Sequence, residues 1–195
     1  MRLPLPYIAL LIGLTFSAKA QLDLRPHYFK AGGIIGRAYF ADGDKKYAVT
    51  LDSETQLSEA DGGALFRFTN VPQATMLLRH TPLDKLLPFD TASLTIYLKA
   101  AKALLPQGSE DAILEAQIAN PLPINQWRSY RFVLSYTIAN SQMRDSFTFL
   151  NLTDGQQILV QTTARLNFFK AISERADDII RRWHEVLPGS ENEVN

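Results

Sequence analysis

Between Ser129 and Thr163 the chain sets out three runs in which bulky residues alternate with small or polar ones: SYRFVLSYTIA, RDSFTFLN and QQILVQTT. Alternation with period two marks a strand with two unlike faces, and short turns between such runs leave antiparallel neighbours. In the first run Tyr130, Phe132, Leu134, Tyr136 and Ile138 point one way, while Ser129, Arg131, Ser135 and Thr137 point the other. The expectation is a three-stranded meander with one face covered. Asn140-Ser141 forms its first corner and Asn151 to Gly155 its second. Asp154-Gly155 invites a metal-ligand reading, but a tight turn needs positive φ, which glycine adopts freely and aspartate tolerates. Only Asn151 and Thr153 stand near enough in sequence to complete a metal site, so the turn is the preferred reading.

The rest of the chain fits strands and two helices around this meander. IIGRAYF and KYAVTL flank an Asp42-Gly43 corner, a hairpin signal; Asp42-Gly43-Asp44 lacks the ligand order of a calcium loop. Ala64–Asn70 and Ala74–Thr81 read as a strand pair, and Ala112–Ala119 as a further strand. Gln21 to Lys30 has no clear period, and the polar, acid-rich Asp52–Gly63 reads as a solvated loop. Asp90 is placed to cap a helix whose stripe is Leu94, Tyr97, Leu98, Ala101, Leu104 and Leu105. A long last helix is expected over Phe168–Leu187, its apolar face including Phe169, Ile172, Ala176, Ile179, Ile180 and Trp183. Its polar face pairs Asp177 with Arg181 and Asp178 with Arg182 at the i, i+4 spacing.

The N-terminus, MRLPLPYIALLIGLTFSAKAQ, has one early charge, a short apolar core at Ile8–Phe16 and an A-x-A site at Ala18-Lys19-Ala20. That is the form of a secretory signal peptide, with cleavage expected between Ala20 and Gln21. The apolar run is well short of the roughly 20 residues that a spanning helix needs. The expected organisation is a leader over 1–20, one domain over 21–187 and a flexible tail over 188–195. The sequence contains no cysteine, which excludes disulfides, thiol catalysis, cysteine-zinc sites, haem attachment and a lipoprotein thioether anchor. Twenty basic residues balance twenty acidic ones, and losing Arg2 and Lys19 with the leader leaves the mature chain slightly acidic. No basic footprint for nucleic acid or anionic membrane remains.

Catalytic motifs are absent from the sequence: there is no G-x-S-x-G, Walker A, H-E-x-x-H or G-x-G-x-x-G, and AGGIIG (Ala31–Gly36) lacks the strand-then-helix context of a phosphate cradle. His27, His80 and His184 have no metal-ligand spacing, and His184 suits the dipole at a helix C-terminus. Asp177-Asp178 read as ordinary surface acids. Asn151-Leu152-Thr153 matches a glycosylation sequon, relevant only in a eukaryotic secretory pathway. Trp127, Arg128 and Tyr130, beside the loop NPLPINQ, offer an aromatic and cationic partner-binding patch; the plainer reading has Trp127 plugging the edge of the core.

Taken in order, DTASLTIYLKAAKALLP, AILEAQIA, the meander and FFKAISERADDIIRRWHEV, with Ile179, Ile180 and Trp183 near its end, resemble the PsbP-like family over roughly residues 45–187. That family shares an α/β/α sandwich with the Ran-binding Mog protein and small exported bacterial proteins. The resemblance implies an α+β fold, an antiparallel sheet sandwiched by helices, and a non-catalytic accessory or binding role. It transfers no functional residue. The sequence thus predicts an exported soluble binding protein, periplasmic or secreted, without cofactor or metal. Its partner is another exported or envelope protein or a small ligand held between sheet and helix. The alternative is a small hydrolase or isomerase using His80 with Asp84 or Asp90.

Overall fold

In a computed structural model the chain is described at residues 23–28, 34–42, 45–60, 63–152 and 155–187. The leader, the tail, Asp154 and the Gly43-Asp44 corner lie outside the described residues. Among the described residues the strands form two antiparallel sheets. A small sheet runs β1 (Asp23–Tyr28), β2 (Ile34–Asp42), β3 (Lys45–Thr50), β11 (His184–Glu185). The large sheet contains β4 (Thr55–Ala60), β5 (Gly63–Phe68), β6 (Thr75–His80), β7 (Glu110–Ala119), β8 (Arg128–Ile138), β9 (Ser141–Asn151) and β10 (Gln157–Arg165). Its spatial order is β4-β5-β6-β10-β9-β8-β7. Helix α1 (Thr91–Ala103) falls between β6, inside the sheet, and β7, at its far edge; the β8–β10 meander then returns the chain to β6.

Two buried clusters sit on opposite faces of the large sheet. On one face Tyr97 and Ala101 of α1 pack on Phe132, Leu134, Phe147, Phe149 and Leu159. On the other, α2 (Phe169–Arg181) and the inner residues of β2 and β3 pack on Phe66, Met76, Leu78, Val133, Leu150 and Val160. The central strands are therefore buried on both faces, not on one. Ser129, Arg131, Ser146 and Thr148, polar residues on the second face, are 1–7% exposed. An alternating pattern expresses which face is more polar; only the cover of α2 and the small sheet decides that the polar one is dry.

Three further expectations are corrected. The acid-rich Asp52–Gly63 contains strand β4: Thr55 is buried and Leu57 packs on the core, while Gln56 and Glu59 are exposed, which suits an edge strand. Gln21–Lys30 contains β1, an edge strand that tolerates Pro26 because an edge leaves one row of N–H groups unused.

The long last helix is shorter than expected. Helix α2 ends at Arg181, Trp183 turns into the core at 5% exposure, and His184 and Glu185 pair with Ala48 and Tyr47. Leu187, placed on the helix face by its spacing, is 66% exposed. His184 is thus a strand residue rather than a helix-terminal one. Burial of the Trp183 ring and a new pairing with β3 outweigh one more turn of helix.

Helix α1 forms where the sequence places it. The Asp90 carboxylate accepts from the Ser93 N–H at 2.8 Å, which holds the Asp90 carboxyl below the usual range.

Candidate functional site

The two faces carry different polar chemistry. Under α2, Arg131 donates Nε to Thr148 Oγ1 at 2.7 Å and both terminal nitrogens to Asp177, at 2.6 and 3.0 Å. Asp177 is therefore the partly buried helix end of a two-pronged ion pair whose sheet end, Arg131, is buried, and not the ordinary surface acid its spacing suggested. Its neighbour Asp178 pairs with Arg181 at 3.0 Å rather than with Arg182. Arg175 binds Asp52 Oδ1 at 2.7 Å and lies over the Phe68 ring. Burial pushes Asp52 up, but bonds from Arg175 and Thr55 outweigh it and hold its carboxyl below the usual range.

On the α1 face Asp145 is fully buried. It accepts from Tyr136 Oη at 3.1 Å and from Gln161 Nε2 at 2.8 Å. Burial pushes its carboxyl up to about 6, against the opposing bonds from Gln161, Thr163 and Tyr136. Burial likewise raises Tyr136. Sequence reasoning passed over Asp145. The available signal was its register: two residues before Phe147 and four before Phe149 on one strand, it shares their inward face.

Among the described residues, two recesses lie at the end of the sheet where β8 and β10 begin. The first, about 480 Å³, is walled by Phe89 and Tyr130 and edged by Asn120, Gln126 and Arg128. The β7–β8 connection that builds it is pinned from below, since Leu122, Ile124 and Trp127 are at most 9% exposed. Its backbone turns through positive φ at Asn120 (50°), Asn125 (46°) and Gln126 (60°). The Asn120 N–H donates to Ser129 O at 2.8 Å and the Trp127 N–H to Ile124 O at 2.8 Å. The anchors go inward and the polar side chains are left on the rim.

The sequence-predicted trio divides here. Trp127 is 3% exposed, its ring edge-on to Tyr47 at 5.1 Å and Phe40 at 5.7 Å, so it plugs the core. Arg128 is exposed, and Tyr130 is half-buried against Phe89 at 5.9 Å between ring centroids.

The second recess, about 460 Å³, lies beneath the 81–86 segment and includes His80, Thr81, Asp84, Lys85, Gly155 and Gln157 in its wall. His80 and Asp84 thus share one depression, whereas Asp90 is committed to the helix cap. Gly155 turns the chain at φ +81°, while the Leu152 N–H donates to Gln156 O at 2.9 Å; the corner expected between β9 and β10 is present. Between the recesses, Gln157 donates Nε2 to Tyr97 Oη at 2.8 Å and to Asn151 Oδ1, and Tyr97 donates to Leu87 O at 2.7 Å. Asn151, the sequon residue, thus has its side-chain oxygen bound within the fold. Among the described residues no group of three or more His, Asp or Glu is placed to hold a metal ion, and no helix is long and apolar enough to cross a membrane.

No protein-family model and no curated protein matches the chain. Solved structures do. Cyanobacterial PsbP (CyanoP) from Synechocystis sp. PCC 6803 is similar at 14% identity and TM-score 0.49, over 84% of this chain and 92% of that one. LpqN, involved in cell envelope biogenesis of Mycobacterium tuberculosis, is similar at 12% identity and TM-score 0.47, over 85% and 92%. The first is a PsbP, the family the sequence resembles; both are likenesses of fold.

Proposed function

We propose that this is an exported accessory protein that works by binding, with the groove between Phe89 and Arg128 as its contact surface for another exported or envelope protein. The observation that carries the reading is the β7–β8 connection. Three non-glycine residues at positive φ are held there by an apolar anchor underneath, and backbone geometry of that kind persists where the surroundings over-determine it, often at functional sites. The result is a rigid recess with an aromatic wall, a guanidinium and amide groups at its rim, a composition favoured at protein interfaces. Export rests on the leader form of residues 1–20.

The test is a photo-crosslinking residue placed at Arg128 and, separately, at Lys99 on exposed α1, in cells of the native host. A partner captured from position 128 and not from 99 supports the reading; equal or absent capture from both sinks it. Intact mass reports export in the same material, a start at Gln21 being the expected result.

A second reading is favoured by one observation, the placing of His80 and Asp84 in one depression. There a hydrolase or isomerase would use His80 as base. Ester or amide turnover lost in His80→Ala is its requirement; turnover unchanged by that substitution removes it.

A further inference from the structure

We infer that the open half of the large sheet's α1 face, over β4, β5 and β6, is a docking surface for an acidic amphipathic helix of a partner protein. Tyr97 and Ala101 seat α1 over Phe132, Phe149 and Leu159, which belong to β8, β9 and β10. The register pairs Leu159 with Arg79, so β6 continues the same face beyond the helix. On β5 and β6 the two faces differ. Toward α2, Phe66, Met76 and Leu78 are buried; on the α1 side Leu65, Leu77 and Arg79 are half-buried and Arg67 is exposed. Leu65 and Leu77 face each other across the strand pair and belong to neither buried cluster. A sheet face with an apolar centre takes a second layer, and here α1 supplies only half of one.

The width and charge of this floor select its occupant. Strands about 4.8 Å apart make β4, β5 and β6 about 10–15 Å wide, room for one helix of about 10 Å diameter. An added strand would take an edge, whereas a helix covers a face. Arg67 donates Nη1 to Ser58 Oγ at 3.0 Å, and Arg165, on the same side of β10, donates Nε to Gln73 Oε1 at 2.8 Å. Both acceptors are neutral, and among the described residues none of Arg67, Arg79 and Arg165 is ion-paired. The acid nearest in register, Asp145, is fully buried and bound to Gln161. A leucine centre ringed by guanidinium groups complements a helix whose apolar stripe is flanked by Asp or Glu. A second copy of the chain offers no such helix: the exposed side of α1 carries Lys99 and Lys102, and the apolar stripe of α2 is buried in its own core. The surface lies at the opposite end of the strand order from the groove at Arg128, and neither requires the other.

The experiment records backbone amide NMR of the full mature chain during titration with a helical peptide of about 18 residues, leucine at the i, i+3, i+4, i+7 positions and glutamate beside them. A twin peptide with lysine in place of glutamate, and vesicles of phosphatidylglycerol, are the comparisons. The expected result is saturable shifts at the amides of Leu65, Leu77 and Gln161 with the glutamate peptide and weaker binding of its twin. Arg67→Glu is an exposed change that should leave melting alone, weaken the glutamate peptide about tenfold and strengthen the lysine twin, a reversal that a merely structural role would not give. Four outcomes overturn the inference. Silence at those amides removes docking from this face, and equal binding of the two peptides removes the charge selection. Vesicles held more tightly than the glutamate peptide give the face to a membrane surface. Shifts of the same amides on raising the concentration of the chain alone give it to a second copy.

Discussion

The two faces of the large sheet bury polar groups in opposite ways. Under α2 the buried and half-buried charges come in pairs: Arg131 is gripped by Asp177, and Arg175 by Asp52. Under α1 a carboxylate is buried with no arginine or lysine bonded to it among the described residues, only Tyr136, Gln161 and Thr163. The paired carboxyl of Asp52 is held down and the unpaired one of Asp145 is pushed up. A face closed by a helix and a second sheet can position long cations from several elements. A face crossed by one helix of 13 residues supplies only the strands' own hydroxyls and amides. The same poverty of partners leaves Gln157 Oε1 unbonded at that face's end.

The contrast between the faces predicts effects that differ in size and in sign. The largest belongs to Asp177→Ala, which strands Arg131 in the core and should cost about 3–5 kcal/mol in urea unfolding. Arg131→Met with Asp177→Leu should recover most of it; a single-variant loss below about 1 kcal/mol would mean the α2 face does not depend on its pairing.

Next is Asp145→Asn. The folded-state carboxyl titrates near 6, above its unfolded value near 4, so its stabilising contribution is complete at acid pH and is lost as pH rises through about 6. The variant should therefore gain on the natural chain by about 2–3 kcal/mol between about pH 4 and pH 8, read from thermal melts across that range.

Asp52→Asn should show the opposite sign with a smaller amplitude. Its folded pKa is lowered, so its contribution is present at neutral pH and disappears on acidification; added salt should shrink it, because the pair is partly exposed. If both variants drift in the same direction with pH, the contrast between the faces fails. The smallest effect on stability is expected for Arg128→Ala, an exposed change whose melting should match the natural chain.

How much of this was legible before folding varies by element. The meander, the strand pair ahead of α1 and the Asp90 cap follow from local alternation and from one carboxylate facing open N–H groups, and they lie where the sequence puts them. Strand β4 was hidden because Asp52–Gly63 is polar enough for solvent, and only the presence of β5 gives Thr55 and Leu57 something to pack against. The end of α2 was hidden for a related reason: the helical spacing continues to Leu187, and nothing local reveals that β3 will offer Tyr47 and Ala48 as pairing partners. In the candidate site the sequence picked out Trp127, Arg128 and Tyr130 together; all three border the groove, but Trp127 is buried in the core beneath it while Arg128 and Tyr130 form its rim and wall.

By itself the sequence determined an α+β chain with an alternating meander, a capped helix before it and an amphipathic helix after it, and it ruled out every cysteine chemistry. These depend on spacing and residue type, which act over a few residues. Tertiary structure alone decided that the meander is buried on both faces, that Arg131 meets Asp177 across 46 positions, and that Thr81 meets Gln157 at one recess. Charge pairing and desolvation act through space, and sequence distance carries no record of which groups a fold will bring together or leave alone.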